Sequence, residues 1–209
     1  MGVPPTGTVT FLFTDVERST QLWDAHPVEM ASAIARHDEV LRDAIAVRRG
    51  YVFSTSGDGL AAAFWTPSEA LETAVQAQAM LAAEHWPASI RLTVRMGIHT
   101  GTADERDGDY FGPTLNRAAR LMGAGHGGQI LLSGVTAQMV DSAGLVDLGE
   151  QRLKDLATPE RVFQVGQKRF LPLHTSGALT IRLPEWSTRF WGRTAELASL
   201  SDRVRATAS

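Results

Sequence analysis

Residues 9–14, Val-Thr-Phe-Leu-Phe-Thr, are β-branched and aromatic, and they predict a strand. Over 28–48 the apolar residues Met30, Ile34, Leu41 and Ile45, with alanines between them, return at helical spacing, and Gly50 supplies a stop. Two apolar runs, 51–53 and 60–64, flank Ser56-Gly57-Asp58-Gly59, the signal of a hairpin. Residues 67–84 predict a second helix, opened by Pro67 and rich in alanine. Ile90, Leu92, Val94, Met96 and Ile98 alternate strictly, the pattern of a strand buried on one face. A polar loop is expected over 102–109, a helix over 116–122, a short strand at 130–132 and small closing strands within 145–165.

This order, βαββαβ with additions, places the chain in the α+β class with a ferredoxin-like core and added C-terminal strands. In that arrangement the third strand lies between the first two and antiparallel to both. The tip of the hairpin then lands beside the C-terminal end of the first strand. Asp15 follows that strand and Asp58 occupies that tip. Each residue alone has an ordinary explanation: a helix N-cap for Asp15, a turn residue for Asp58. Together they put two like charges at one sheet edge, which is costly without a cation. Two carboxylates there make a hard oxygen site suited to Mg²⁺ or Mn²⁺.

Composition narrows the partners. The 209 residues carry 20 basic and 23 acidic side chains, a formal charge of −3, so no polyanion-binding surface is indicated. Cysteine is absent, which removes disulfides, thiolate metal sites and cysteine nucleophiles. The N-terminus has no basic region followed by a long apolar stretch, and no apolar run approaches the ~18 residues of a membrane span. The expectation is a cytoplasmic protein without a membrane or nucleic-acid partner. Gly123-Ala-Gly125-His-Gly-Gly128 spells G-x-G-x-x-G but precedes a strand, whereas a dinucleotide fingerprint follows one. There is no P-loop, and the six histidines lack metal-site spacing; His99, in a strand-end motif, reads as structural or supporting rather than as a general base.

Four stretches in order resemble the catalytic domain of class III nucleotide cyclases. They are Phe11-Leu-Phe-Thr-Asp15-Val-Glu-Arg-Ser-Thr20; Ser56-Gly-Asp58-Gly with the strand ending at Phe64; Val94-Arg-Met-Gly-Ile-His-Thr-Gly101; and Gly112-Pro-Thr-Leu-Asn116-Arg-Ala-Ala-Arg120-Leu, continued by Gly128-Gln-Ile-Leu-Leu-Ser133. The resemblance covers about residues 6–165, and a cyclase domain is expected over 1–165. It implies a metal-dependent adenylate cyclase that converts ATP to 3′,5′-cyclic AMP and pyrophosphate, with two Mg²⁺ or Mn²⁺ ions held by Asp15 and Asp58. By position, Asn116 would orient the ribose and Arg120 would stabilise the transferred phosphoryl. Ser19, Thr20 and Lys154 would meet phosphate oxygens. The resemblance also implies a head-to-tail homodimer whose sites take the two aspartates from one chain and Asn116 and Arg120 from the other. The loop at 102–109 is a candidate contact arm.

The base-reading positions depart from the pattern. Adenylate-forming members resembling this chain place a lysine where Ser54 stands and an aspartate or threonine where Asp109 stands. Asp109 can accept the adenine amino proton and would repel the guanine oxo group. Ser54 is shorter and uncharged, so base recognition is expected to be weaker. A catalytically weak or inactive nucleotide-binding or dimerising sensory module of a transcription regulator is the alternative. Over 166–209 a linker is expected, and 189–200 resembles the opening of ATPase domains in large bacterial helix-turn-helix regulators.

Overall fold

In this computed structural model, which describes residues 3–175, the strand predicted at 9–14 runs from Thr8 to Val16 (β1). It pairs antiparallel with β3 (Gly59–Phe64) on one side and β4 (Val94–Thr102) on the other. β3 pairs in turn with β2 (Tyr51–Ser56). Three further strands, β7 (Ile130–Ser133), β8 (Leu145–Gln151) and β9 (Glu160–Val165), extend the sheet to seven in the order β2-β3-β1-β4-β7-β9-β8. The first four are the ferredoxin-like core, and the last three are the added closing strands.

Alternation along β1 divides the two faces. Leu12 and Val16 pack with α2 (Pro27–Val47) and α3 (Pro67–Ala83). Val9, Phe11 and Phe13 face the other way, towards Tyr110 and Ala118. Helix α2 buries Met30, Ala33, His37, Val40, Leu41, Ala44 and Ile45, a stripe at helical spacing that includes one histidine. Thr66 caps α3 in a reciprocal box with Glu69, and Pro67 begins the helix. On the opposite face α4 (Pro113–Ala124) lies directly on β4. Gly97 makes this possible: a Cβ there would fall 2.7 Å from Met122 Cα.

Two expectations need correction. Ile90 and Leu92 are buried, but the strand begins only at Val94. Their alternation records burial against the core and not strand pairing. Residues 102–109 are not an irregular loop either. β5 (Asp104–Arg106) and β6 (Asp109–Phe111) pair as a two-stranded arm around Asp107 and Gly108, both at positive φ. Asp-Gly with left-handed backbone at both positions is a tight hairpin connection. Tyr110 of the arm stacks edge-on against Phe11 and Phe53, and its hydroxyl donates to Pro5 O at 2.7 Å. Among the described residues no helix is long and apolar enough to cross a membrane. The ATPase-like stretch at 189–200 lies outside them.

Candidate active site

Asp15 is the penultimate residue of β1 and continues the face of Phe11 and Phe13. Asp58 is the second residue of the two-residue turn between β2 and β3, where Gly57 supplies the positive φ. The strand end and the hairpin tip touch: a Cβ on Gly59 would lie 3.2 Å from Thr14 O and 3.9 Å from Asp15 Oδ1. Asp58 Oδ2 is buried and has no hydrogen-bond partner among the described residues. A buried carboxylate oxygen without a donor is expensive, so this atom calls for a cation or a proton donor.

Arg95 stands opposite Asp15 in the β1–β4 register. Its Nε and Nη2 donate to Asp15 Oδ2 at 2.8 and 2.5 Å, and Nη1 donates to Gly123 O at 3.3 Å. Burial pushes the Asp15 carboxyl above its ordinary range, Arg95 pulls it down, and the charge of Asp58 pushes it up again. His37 projects from the buried stripe of α2. Its Nδ1 pairs with Asp38 Oδ1 at 2.9 Å, and its Nε2 is buried without a partner among the described residues. Burial holds its imidazole below the usual histidine value, opposed by the charges of Asp38, Asp58 and Asp15. Neither Arg95 nor His37 was expected at the site from sequence. Only His37 left a signal, a polar residue inside an apolar helical stripe; the Arg95 pair depends on cross-strand register.

Asn116 and Arg120 are exposed, four residues apart on α4. Arg120 Nη2 pairs with Asp155 Oδ2 at 2.8 Å. Arg120 and Lys154 border a common cavity of about 420 Å³. Ser19 and Thr20 open the short helix α1 (Ser19–Ala25), just beyond Arg18 at positive φ. Ser54 is exposed on β2, immediately after a register shift at Phe53. Asp109 is exposed at the start of β6, its Oδ1 accepting from Tyr110 N at 2.8 Å. β2 and the arm adjoin through the Phe53–Tyr110 ring contact, 4.9 Å between centroids, so Ser54 and Asp109 belong to neighbouring elements of one chain. Among the described residues, neither Asn116 nor Arg120 bonds to Asp15 or Asp58: Arg120 is paired with Asp155 and Asp15 with Arg95. His99 is buried with Nδ1 2.7 Å from Ser133 Oγ, which agrees with a structural role.

The two carboxylates fit a hard divalent cation. Among the described residues Asp58 Oδ2 lacks any other partner, and Asp15 Oδ1 lies on the side of the hairpin tip. The paired carboxylate oxygens suit Mg²⁺ or Mn²⁺.

A family model described as the adenylate and guanylate cyclase catalytic domain matches residues 1–165. An uncharacterised protein of Mycobacterium tuberculosis is 42% identical over 208 residues, covering 94% of this chain and 70% of its own. The adenylate cyclase of Lachancea kluyveri is 37% identical over 155 residues, which is 62% of this chain and 8% of that enzyme. Among solved structures, an adenylate cyclase of Trypanosoma brucei in its monomeric state superposes with a TM-score of 0.76 at 29% identity, over 83% of this chain and 96% of that one.

Proposed function

This chain belongs to the adenylate and guanylate cyclase catalytic-domain family, and from that premise we propose that it converts ATP to 3′,5′-cyclic AMP and pyrophosphate in a metal-dependent reaction with non-standard base recognition. The observation that carries the reading is the buried, unpartnered Oδ2 of Asp58 beside the Asp15 strand end. A catalytic carboxylate pair accounts for that cost, and a purely structural turn does not.

Asp15 and Asp58 would hold two Mg²⁺ or Mn²⁺ ions. When bound, such ions favour ionisation of the ribose 3′-hydroxyl and offset the triphosphate charge. The 3′-oxygen forms a bond to the α-phosphorus as the bond to pyrophosphate breaks, and the hydroxyl proton passes to solvent. Asn116 fixes the ribose so that this oxygen lies in line. Arg120 leaves Asp155 to stabilise charge on the transferred phosphoryl. Ser19 and Thr20 offer hydroxyls and main-chain N–H groups to phosphate oxygens, and Lys154 reaches the terminal phosphates. Asp109 accepts from the adenine amino group, while Ser54 supplies a short neutral donor. Asn116 and Arg120 reach the aspartates of a second copy, so the active form is a homodimer with two composite sites.

The test is formation of cyclic AMP and cyclic GMP from ATP and GTP, with Mg²⁺ or Mn²⁺, beside Asp58→Ala. The expected result is metal-dependent cyclic AMP that disappears in the variant. Nucleotide binding without either product would instead establish the sensory module, a reading favoured by Ser54 and by the hold of Arg95 on Asp15.

A further inference from the structure

Away from Asp58, three ligating side chains converge where the chain returns after β9. Glu17 follows β1, His126 lies between α4 and β7, and His174 lies on a segment held across the end of α4 by a hydrogen bond from its N–H to Ala124 O at 2.9 Å. One ligand atom from each falls within 4.8 Å of the other two.

The tautomer of His126 is set by its surroundings. Its Nε2 lies 3.0 Å from Pro172 O, a carbonyl that only accepts, so Nε2 carries the proton and donates. In the neutral ring this leaves the Nδ1 lone pair facing Glu17 Oε1, 3.7 Å away. Two acceptors then oppose each other in a partly buried place, an arrangement that a cation between them relieves. A ring N–H fixed by a backbone carbonyl is also how proteins orient a metal-binding imidazole. The ring of His174 lies 4.4 Å from that of His126, centroid to centroid, and brings a third donor. The adjoining cavity, about 540 Å³, is bordered by Arg18, Arg95 and Arg169 as well as Phe170. The Arg95 guanidinium is engaged by Asp15 and Gly123 O.

We propose that Glu17, His126 and His174 form a binding site for a transition metal of the Zn²⁺ class, separate from the Asp15–Asp58 carboxylates. Two imidazoles and one carboxylate suit Zn²⁺ with a fourth position left for water, whereas Mg²⁺ favours oxygen alone. The ion clips the segment carrying Pro172 and His174 to the end of β1, two residues beyond Asp15.

The experiment is Zn²⁺ titration of the full chain by calorimetry in excess Mg²⁺, which occupies oxygen-only sites. One Zn²⁺ per chain is expected, with affinity unchanged in Asp58→Ala. In His174→Ala, an exposed position, affinity should fall at least about tenfold, the lower bound for losing even an outer-shell partner. Co²⁺ in place of Zn²⁺ should give visible absorption that His174→Ala removes, with thermal melts confirming that the variant folds. Absence of stoichiometric Zn²⁺ in excess Mg²⁺, or binding that His174→Ala leaves unmoved, would overturn the proposal and leave Glu17 and His126 as an ion pair alone.

Discussion

Arg95 places two hydrogen bonds on a single oxygen of Asp15, so the cation that this carboxylate holds is the protein's own guanidinium. An incoming divalent ion competes with it. Arg95→Gln should therefore strengthen Mn²⁺ binding about tenfold, the lower end of what a charge-assisted hydrogen bond is worth. Electron paramagnetic resonance of free Mn²⁺ reads this directly. Weaker binding in the variant would mean that Arg95 aims Asp15 rather than competing for it.

Ser54 is exposed on β2, next to the arm that carries Asp109. Ser54→Lys should raise kcat/KM for ATP over GTP by about 10–100-fold, as expected from gaining a charge-assisted hydrogen bond worth about 1.5–3 kcal/mol. An unchanged ATP/GTP ratio would remove position 54 from base reading.

The proposed composite sites make a sharper demand. Asp58→Ala and Arg120→Ala should each be inactive alone. Mixed in equal amounts they should recover about a quarter of wild-type activity, because half of the dimers are then hybrids with one intact site of two. No recovery, with subunit exchange verified by mass spectrometry, would place both residues in the same site of one chain.

His99 links pH to stability. Burial, with the charge of Arg117 beside it, lowers its pKa from the ordinary 6.5 to about 4. The unfolded chain therefore takes up this proton first. Stability is present above about pH 6.5 and is lost as pH falls towards 4, by about 3 kcal/mol over that window. Urea unfolding of wild type and His99→Gln across the range should show a shallower slope in the variant. Equal slopes would assign the acid sensitivity elsewhere, with His37 the next candidate because burial lowers its pKa too.

Gly97→Ala tests how α4 is seated. The new methyl would fall 2.7 Å from Met122 Cα and 2.8 Å from Met122 Cβ, so the helix must shift. Overpacking of this kind costs about 1–3 kcal/mol. Because Asn116 and Arg120 ride on the same helix, kcat should fall further than the melting temperature alone explains. A variant with unchanged stability and turnover would show that α4 adjusts freely.

Much of the fold was legible because burial here follows regular periods. The α2 stripe, the α3 opening at Pro67 and the Gly57-Asp58 turn all appear as read. The convergence of Asp15 with Asp58 followed from topology, since antiparallel pairing of β3 with β1 brings the hairpin tip to that strand end. What escaped had a different origin. The arm was hidden by polar composition, although Asp107-Gly108 carries the turn signal of a hairpin. Ile90 and Leu92 alternate like a strand because they plug the core from irregular chain. The Arg95 pair depends on cross-strand register, and the meeting of Glu17, His126 and His174 depends on a chain return after β9. Neither leaves a periodic trace.

The arm has a consequence for assembly kinetics. Phe11, Phe53 and Tyr110 clamp it to its own sheet, and Tyr110 also ties down the N-terminal segment at Pro5. Its conformational entropy is therefore surrendered when the single chain folds, not when two chains meet. A surface that is already ordered docks without a disorder-to-order step. In the proposed homodimer, association through it would proceed at rates set by encounter and orientation, and the lifetime of the pair would become the quantity left for regulation to act upon.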